Sequence, residues 1–203
     1  MKGKIVSQIK DPDLIRKRHL QIARKTSRLF LKKGYSATGM REISKTTGIT
    51  IGNLYDYITK KEDVLCLVFD VHHRLWTEHL EKNGVHAIAD PLEQLETAVR
   101  RMLELAHENA DFVLLMYRES KHLPKRFMKD VLAKEIELIE FFEGILRRGI
   151  KKNVFHIDDT FYSASMIVYE LSFEPLRGWS LKGKKTNRDL IDLTVRHIMK
   201  AVL

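Results

Sequence analysis

The residues best placed to do chemistry are hydrogen-bonding and small side chains on one short turn: Thr50, Ile51, Gly52 and Asn53, then Tyr55 and Tyr57. An amide such as Asn53 can pair with a nucleobase edge, and Ile51 can pack on a thymine methyl. Gly52 lets a backbone approach closely. The hydroxyls of Tyr55 and Tyr57 suit phosphate oxygens, contacts that position without reading sequence. This is the chemistry of recognition, not of bond breaking. For Tyr55 a core position is the competing reading, and Leu54 reads as core.

Those side chains need a scaffold, and the flanking spacing supplies one. Met40, Ile43 and Thr47 mark one face of a helix from Gly39 to about Thr47, with Thr38 as its expected N-cap. The N-terminal dipole and free N–H groups at Thr38 and Gly39 suit a phosphate. Gly48 stands where the chain must turn with positive φ. Thr50 then caps a second helix through Leu54, Tyr55 and Tyr57. Two helices crossing around so tight a turn form a helix-turn-helix, whose second helix lies in the DNA major groove and presents its first turn to base edges. Generic helical hairpins match parts of this pattern.

Gly48-Ile49-Thr50-x-Gly52-x-Leu54-Tyr55-x-Tyr57, then Lys60-Lys61-Glu62-x-x-Leu65, resembles the DNA-binding signature of the TetR family of bacterial transcriptional regulators. Ile22, Ala23, Leu29-Phe30 and Gly34-Tyr35 extend the resemblance upstream, and it thins beyond Leu65. Ile58 replaces the family's usual Phe, Ile51 a common polar or basic residue, and Tyr57 a frequent His. These departures bear on base preference, not on fold. The resemblance makes Lys61 a phosphate contact. It also implies a helix-turn-helix DNA-binding domain over 1–60, a helical effector-binding and dimerisation domain over 61–203, and a homodimer on double-stranded operator DNA.

Charge points the same way. Residues 1–65 hold 15 Lys+Arg and 6 Asp+Glu, a net of +9; the whole chain holds 36 and 27, so residues 66–203 carry 21 of each and are neutral. The entire excess lies on the segment with the helix-turn-helix, as a polyanion footprint requires. A solvated basic tail is the bland alternative. No apolar run approaches the roughly 18 residues of a membrane span. The start MKGKIVSQIK lacks the apolar region and cleavage site of a secretory signal. A single cysteine, Cys66, fits a reducing compartment, so a cytoplasmic protein is expected.

Four prolines and ten glycines, with long helical periods between them, indicate an all-α chain. Residues 1–12 read as a lysine-bearing arm without period, disordered until DNA is near. Asp13 is the expected cap of a helix ending at Gly34. Thr59, Glu62 and Asp63 open a linking helix that ends at Asn83-Gly84; a change in its tilt would move Lys61 and the recognition helix together. Further helices begin at Asp90-Pro91, Ala110 and Pro124, at Asp158 or Asp159, and at Thr186. Pro175 to Lys185 reads as a basic loop holding Trp179.

The last two long helices carry Ser163, Ala164 and Ile167, then Ile191, Thr194, Val195 and Ile198. These faces either meet a second copy, as the resemblance implies, or cover the monomer's own core. His72, Trp76, Met102, Phe112, Met116, Tyr117, Met166 and Tyr169 are the expected surroundings of a small, largely apolar effector, since methionine and aromatic side chains make adaptable pockets. Ordinary core is the competing reading for each.

An enzyme is disfavoured. His72 and His79 share a helix face with Trp76, but their spacing is not that of a helical zinc pair, and no glutamate base accompanies them. No phosphate-binding glycine loop and no nucleophile elbow occur, Cys66 has no visible partner, and no cofactor is expected. The expectation is a homodimeric regulator, a repressor released from a palindromic operator by its effector. A protein coating DNA without sequence preference is the alternative.

Overall fold

The computed structural model describes Ile5 and residues 7–203. Ten α-helices follow one another among them, with no strand: α1 (Pro12–Lys33), α2 (Met40–Thr47), α3 (Ile51–Tyr55), α4 (Lys61–Lys82), α5 (Pro91–Glu108), α6 (Ala110–Glu119), α7 (Lys125–Lys151), α8 (Thr160–Leu171), α9 (Phe173–Arg177) and α10 (Asn187–Val202). They form two compact units. One comprises Met1–Arg74 with Asp111–Leu132, the other Leu75–Ala110 with Ala133–Leu203. The first unit exceeds the expected 1–60 segment because α6 ties back onto α1. Arg28 Nε donates to Asp111 Oδ2 at 2.9 Å, and Arg118 Nη1 donates to Leu31 O at 3.2 Å.

In the first unit α1 packs on α2, and α2 on α3. Ile22, Ala23, Phe30, Ile43, Leu54 and Ile58 are fully buried. The cap of α1 is Asp11, not Asp13: its carboxylate accepts from the N–H groups of Asp13 and Leu14, and Pro12 takes the first helical position, where no N–H is missed. Gly34 closes the helix as expected. At α4 the capping runs backwards from expectation, because Asp63 Oδ2 accepts from Thr59 N at 2.9 Å and Lys60 N at 3.1 Å.

The second unit is built on α5, which packs against α8, α9 and α10. Leu95, Val99, Phe142, Ile145, Leu146, Ala164, Ile167, Val195 and Ile198 share one apolar core. Of the α8 and α10 residues expected to meet a second copy, Ala164, Ile167, Val195 and Ile198 lie in the unit's own core, whereas Ser163, Ile191 and Thr194 are half-buried. Asp90, Asp159 and Thr186 cap α5, α8 and α10, the last with a reciprocal bond from Asp189. The expected loop after Pro175 is partly helical: proline in a first turn costs no intrahelical bond, so α9 forms around it, and a 3₁₀ segment, Gly178–Leu181, follows. Gly149 admits the Phe155 ring, since a Cβ there would lie 1.9 Å from Phe155 Cδ2.

Candidate nucleic-acid interface

The interface is assembled around Gly48, which ends α2 at φ 73° and ψ 20°, with its N–H donating to Ser44 O at 3.0 Å. Ser44 Oγ donates to Ile49 O at 2.6 Å, and Thr47 Oγ1 to Ile43 O at 2.8 Å, so the turn's polar groups are internally satisfied. α1 braces it from the other side: Gln21 Nε2 and Lys25 Nζ both donate to Thr47 O, at 3.0 and 3.2 Å. These bonds hold a helix of five residues that has little stability of its own.

Thr50 caps α3 as expected, its hydroxyl accepting from Asn53 N at 3.3 Å. Leu54 is fully buried. Its seating turns Ile51, Gly52, Asn53 and Tyr55 outward, all exposed, with Ile51 at 40% and Tyr55 at 41%. Nothing stands within 4 Å of the position a Gly52 Cβ would take. The helix therefore offers an amide, an aliphatic group, a phenol and an open backbone on one free surface.

Three expected contacts stand differently. Thr38 is 2% exposed and caps nothing: its hydroxyl donates to Gly34 O at 2.9 Å, and α2 starts at Met40 from Gly39 without a side-chain cap. In the first turn of α2 the Glu42 N–H donates to Gly39 O at 3.1 Å, which leaves those of Met40 and Arg41, beside exposed Gly39, open for an anion. Tyr57 lies just past α3 and is 6% exposed, its ring edge-on to His19 at 6.4 Å. It is a packing residue here because Leu54, Tyr57 and Ile58 all turn inward. Burial holds the His19 imidazole below its usual range, and the neutral ring bonds Tyr57 O at 3.2 Å. Lys61 is engaged within the protein: its ammonium donates to Tyr35 O at 3.1 Å and sits 4.3 Å above the Tyr35 ring. Tyr35 in turn stacks on His122 at 4.9 Å.

A cleft rich in reactive groups would offer a competing site. Burial pushes the Cys66 thiol up to about 12, the wrong direction for a nucleophile. Among the described residues no group of three or more His, Cys, Asp or Glu side chains could hold a metal ion. No described helix is long and apolar enough to cross a membrane.

Two family matches cover most of the chain. Residues 22–66 match the bacterial regulatory proteins of the tetR family, and residues 89–202 match the tetracyclin repressor-like C-terminal domain. The chain belongs to the TetR family. Among curated relatives, the HTH-type transcriptional regulator HbdR of Aromatoleum sp. (strain CIB) is 27% identical over 133 residues, 66% of this chain and 57% of HbdR. The match thus spans little more than half of that relative's length. The fatty acid metabolism regulator protein of Bacillus subtilis (strain 168) is 22% identical over 182 residues, covering 88% of this chain and 91% of the relative. Among solved structures, AibR in complex with isovaleryl coenzyme A and operator DNA superposes with a TM-score of 0.76 at 22% identity, over 89% of this chain and 97% of AibR.

The residues expected around an effector divide between the two units. In the first, Phe112 and Met116 are buried, whereas Tyr117 is 52% exposed. His72 is partly covered, its Nδ1 is buried without a hydrogen-bond partner, and desolvation with the neighbouring His73 pushes its pKa down to about 4. In the second, Trp76 and Met102 share the apolar core. Met166 and Tyr169 do not join them: they stand on the surface of α8, 39% and 57% exposed. The same helix turns Ala164, Ile167 and Leu171 inward, which leaves those two on its outer face. Sequence reasoning missed the bracing by Gln21 and Lys25, although with Arg18 they lie on one helical face at i, i+3 and i+7.

Proposed function

We propose that this TetR-family chain is a homodimeric, sequence-specific DNA-binding transcription regulator, a repressor released from a palindromic operator by a small, largely apolar effector. The observation that carries the reading is the free first turn of α3, with Ile51, Gly52 and Asn53 outward over buried Leu54. Asn53 has the donor and acceptor pair that reads adenine, Ile51 meets a thymine methyl, and the open N-terminus of α2 takes a phosphate. Lys61 keeps one N–H donor for phosphate when the other two bind Tyr35 O and Ser36 O.

One such helix makes few base contacts, so specificity needs a second copy placed by a two-fold axis. The unpartnered outer face of α8 supports that: Phe161, Tyr162, Met166 and Tyr169 are 39–64% exposed on one helix, an apolar stripe of the kind that marks an interface. The effector is of acyl type, on the strength of the isovaleryl coenzyme A in AibR and of the fatty acid metabolism regulator. It must bind the DNA-competent and released states unequally, because equal affinity shifts nothing. A shift of α4 would carry Lys61 and its Tyr35 partner with it.

Selection of bound sequences from a random duplex pool by the ligand-free protein tests the reading. Enrichment of a palindrome is expected. Retention of all DNA alike, with a steep salt dependence, would replace the regulator with a coating protein.

A further inference from the structure

Residues 175–188, PLRGWSLKGKKTNR, hold Arg177, Lys182, Lys184, Lys185 and Arg188 and no acidic side chain, in a part of the chain that is neutral as a whole. In their midst Trp179 is 72% exposed, although tryptophan is ordinarily largely buried. The ring sits on an ordered segment. The Arg177 guanidinium lies 5.7 Å from its centroid, Ser180 Oγ donates to Arg177 O at 2.9 Å, and Lys184 N donates to Leu181 O at 3.0 Å.

This segment borders a groove of about 310 Å³ whose lining belongs wholly to the second unit. Sites for small molecules span roughly 300–1,000 Å³. Trp179, Lys182 and Lys185 line it from exposed positions, together with Asn187 and half-buried Glu174. Asn187 Nδ2 donates to His107 Nε2 at 2.7 Å. Accepting there leaves the imidazole proton on Nδ1, 3.5 Å from Glu174 Oε2, and neither of these two buried atoms has a hydrogen-bond partner. Asn187 keeps its amide oxygen and its second N–H, the acceptor and donor that match N6 and N7 of adenine. The Glu174 carboxylate repels phosphate from the covered side, and the two ammonium groups draw it to the exposed one. Asp189, beside Lys185, is already engaged: its Oδ2 accepts from Thr186 N at 2.9 Å and Thr186 Oγ1 at 2.8 Å.

We propose that this groove binds an adenine nucleotide, with the base stacked on Trp179, its edge on Asn187 and the diphosphate at Lys182 and Lys185. A merely solvated basic loop needs neither a held indole nor a groove behind it. Two sources carry the group: free ADP, and coenzyme A, whose head is a 3′-phosphorylated ADP. Only the second rests on the acyl-effector reading.

Trp179 reports its own occupancy, because the other tryptophan, Trp76, is 8% exposed. The full chain is titrated with ADP, GDP, pyrophosphate and coenzyme A, followed by tryptophan emission and by calorimetry. ADP is expected to quench the exposed indole and to saturate. Trp179→Ala should weaken ADP by about 10-fold through loss of one base–aromatic stack. Lys182→Glu combined with Lys185→Glu should abolish ADP binding, and Asn187→Ala should remove the preference for ADP over GDP. All four side chains are exposed, so helical content by circular dichroism should not change. Coenzyme A binding more tightly than ADP assigns the groove to the acyl effector; ADP binding at least as tightly assigns it to a free nucleotide. Quenching by neither ligand, or binding that all three variants leave unchanged, overturns the site. Pyrophosphate binding as tightly as ADP, with Trp179 emission unmoved, overturns it too, since the lysines alone would then suffice. An acyl coenzyme A that fails to release the operator while ADP still quenches Trp179 refutes the effector reading and leaves the groove standing.

Discussion

Two short helices leave large apolar side chains in solvent, and they do so in different company. On α3, Ile51 and Tyr55 are 40% and 41% exposed, interleaved with Gly52 and Asn53, in the part of the chain that holds all of its positive excess. On α8, Phe161, Tyr162, Met166 and Tyr169 form a nearly unbroken stripe, 45%, 64%, 39% and 57% exposed, in a part whose charges cancel. Scattered exposed apolar groups are ordinary on any surface; a stripe at helical spacing is not. The difference lies in what each face can satisfy. A mixed surface under a positive field suits a polyanion edged with methyl groups, whereas an apolar stripe without net field suits a copy of itself.

The comparison breaks most readily at α8. Tyr169→Asp places a carboxylate in the proposed interface, where desolvation is costly. Sedimentation should show monomers, and operator affinity should fall by roughly 100-fold through lost bivalency. A dimer of undiminished affinity would mean that α8 pairs with nothing. Gly149→Ala probes the second unit without touching either face. Its Cβ would meet the Phe155 ring, so stability should drop by about 1–3 kcal/mol in urea denaturation, with the selected consensus intact.

Acid acts on the first unit. The His72 imidazole is pushed down to about 4, and His19 is lowered in the same direction, both chiefly by burial. An unfolded chain protonates these rings near pH 6.5, so between there and pH 4 it holds more protons than the folded one. Their contribution is therefore complete above pH 6.5 and declines as pH falls towards 4, by about 2 kcal/mol. Urea midpoints at pH 7 and pH 4.5 read the loss; a midpoint that rises on acidification would contradict the buried neutral rings. The smallest effect belongs to Lys61→Ala. It should weaken all duplexes alike, by a few-fold, and flatten the salt slope by about 0.9 per protomer; a change of base preference would make Lys61 a reader.

The order of the helices and most of their ends were legible because they depend on local chemistry. Gly34, Gly48, Asp90 and Thr186 act where their types place them. The exposure of Thr50 to Asn53, proposed here to read bases, was legible for the same reason, since one buried Leu54 orients a short helix. Burial across the fold was not. Tyr57 turns inward against His19 of α1, a partner whose approach no local period encodes, and Thr38 turns inward onto Gly34 O instead of capping α2. Met166 and Tyr169 turn outward because Ala164 and Ile167 of the same helix fill the core. Residues 7–9 are not the unstructured arm expected of them: Ser7 Oγ and Gln8 N both donate to Asp56 O, at 2.9 and 2.8 Å, a main-chain acceptor almost fifty positions away that side-chain patterns do not reveal. Residues 1–4 and 6 of that arm lie outside the described residues.

The central claim is that α3 reads bases and that two copies read together. Repeating the random-duplex selection with Asn53→Ala tests both at once. The expected consensus loses its preference at one base pair in each half-site, at symmetry-related positions, at a cost of roughly 1–3 kcal/mol per half-site, and keeps every other position. An unchanged consensus, or a loss confined to one side of it, would contradict the claim.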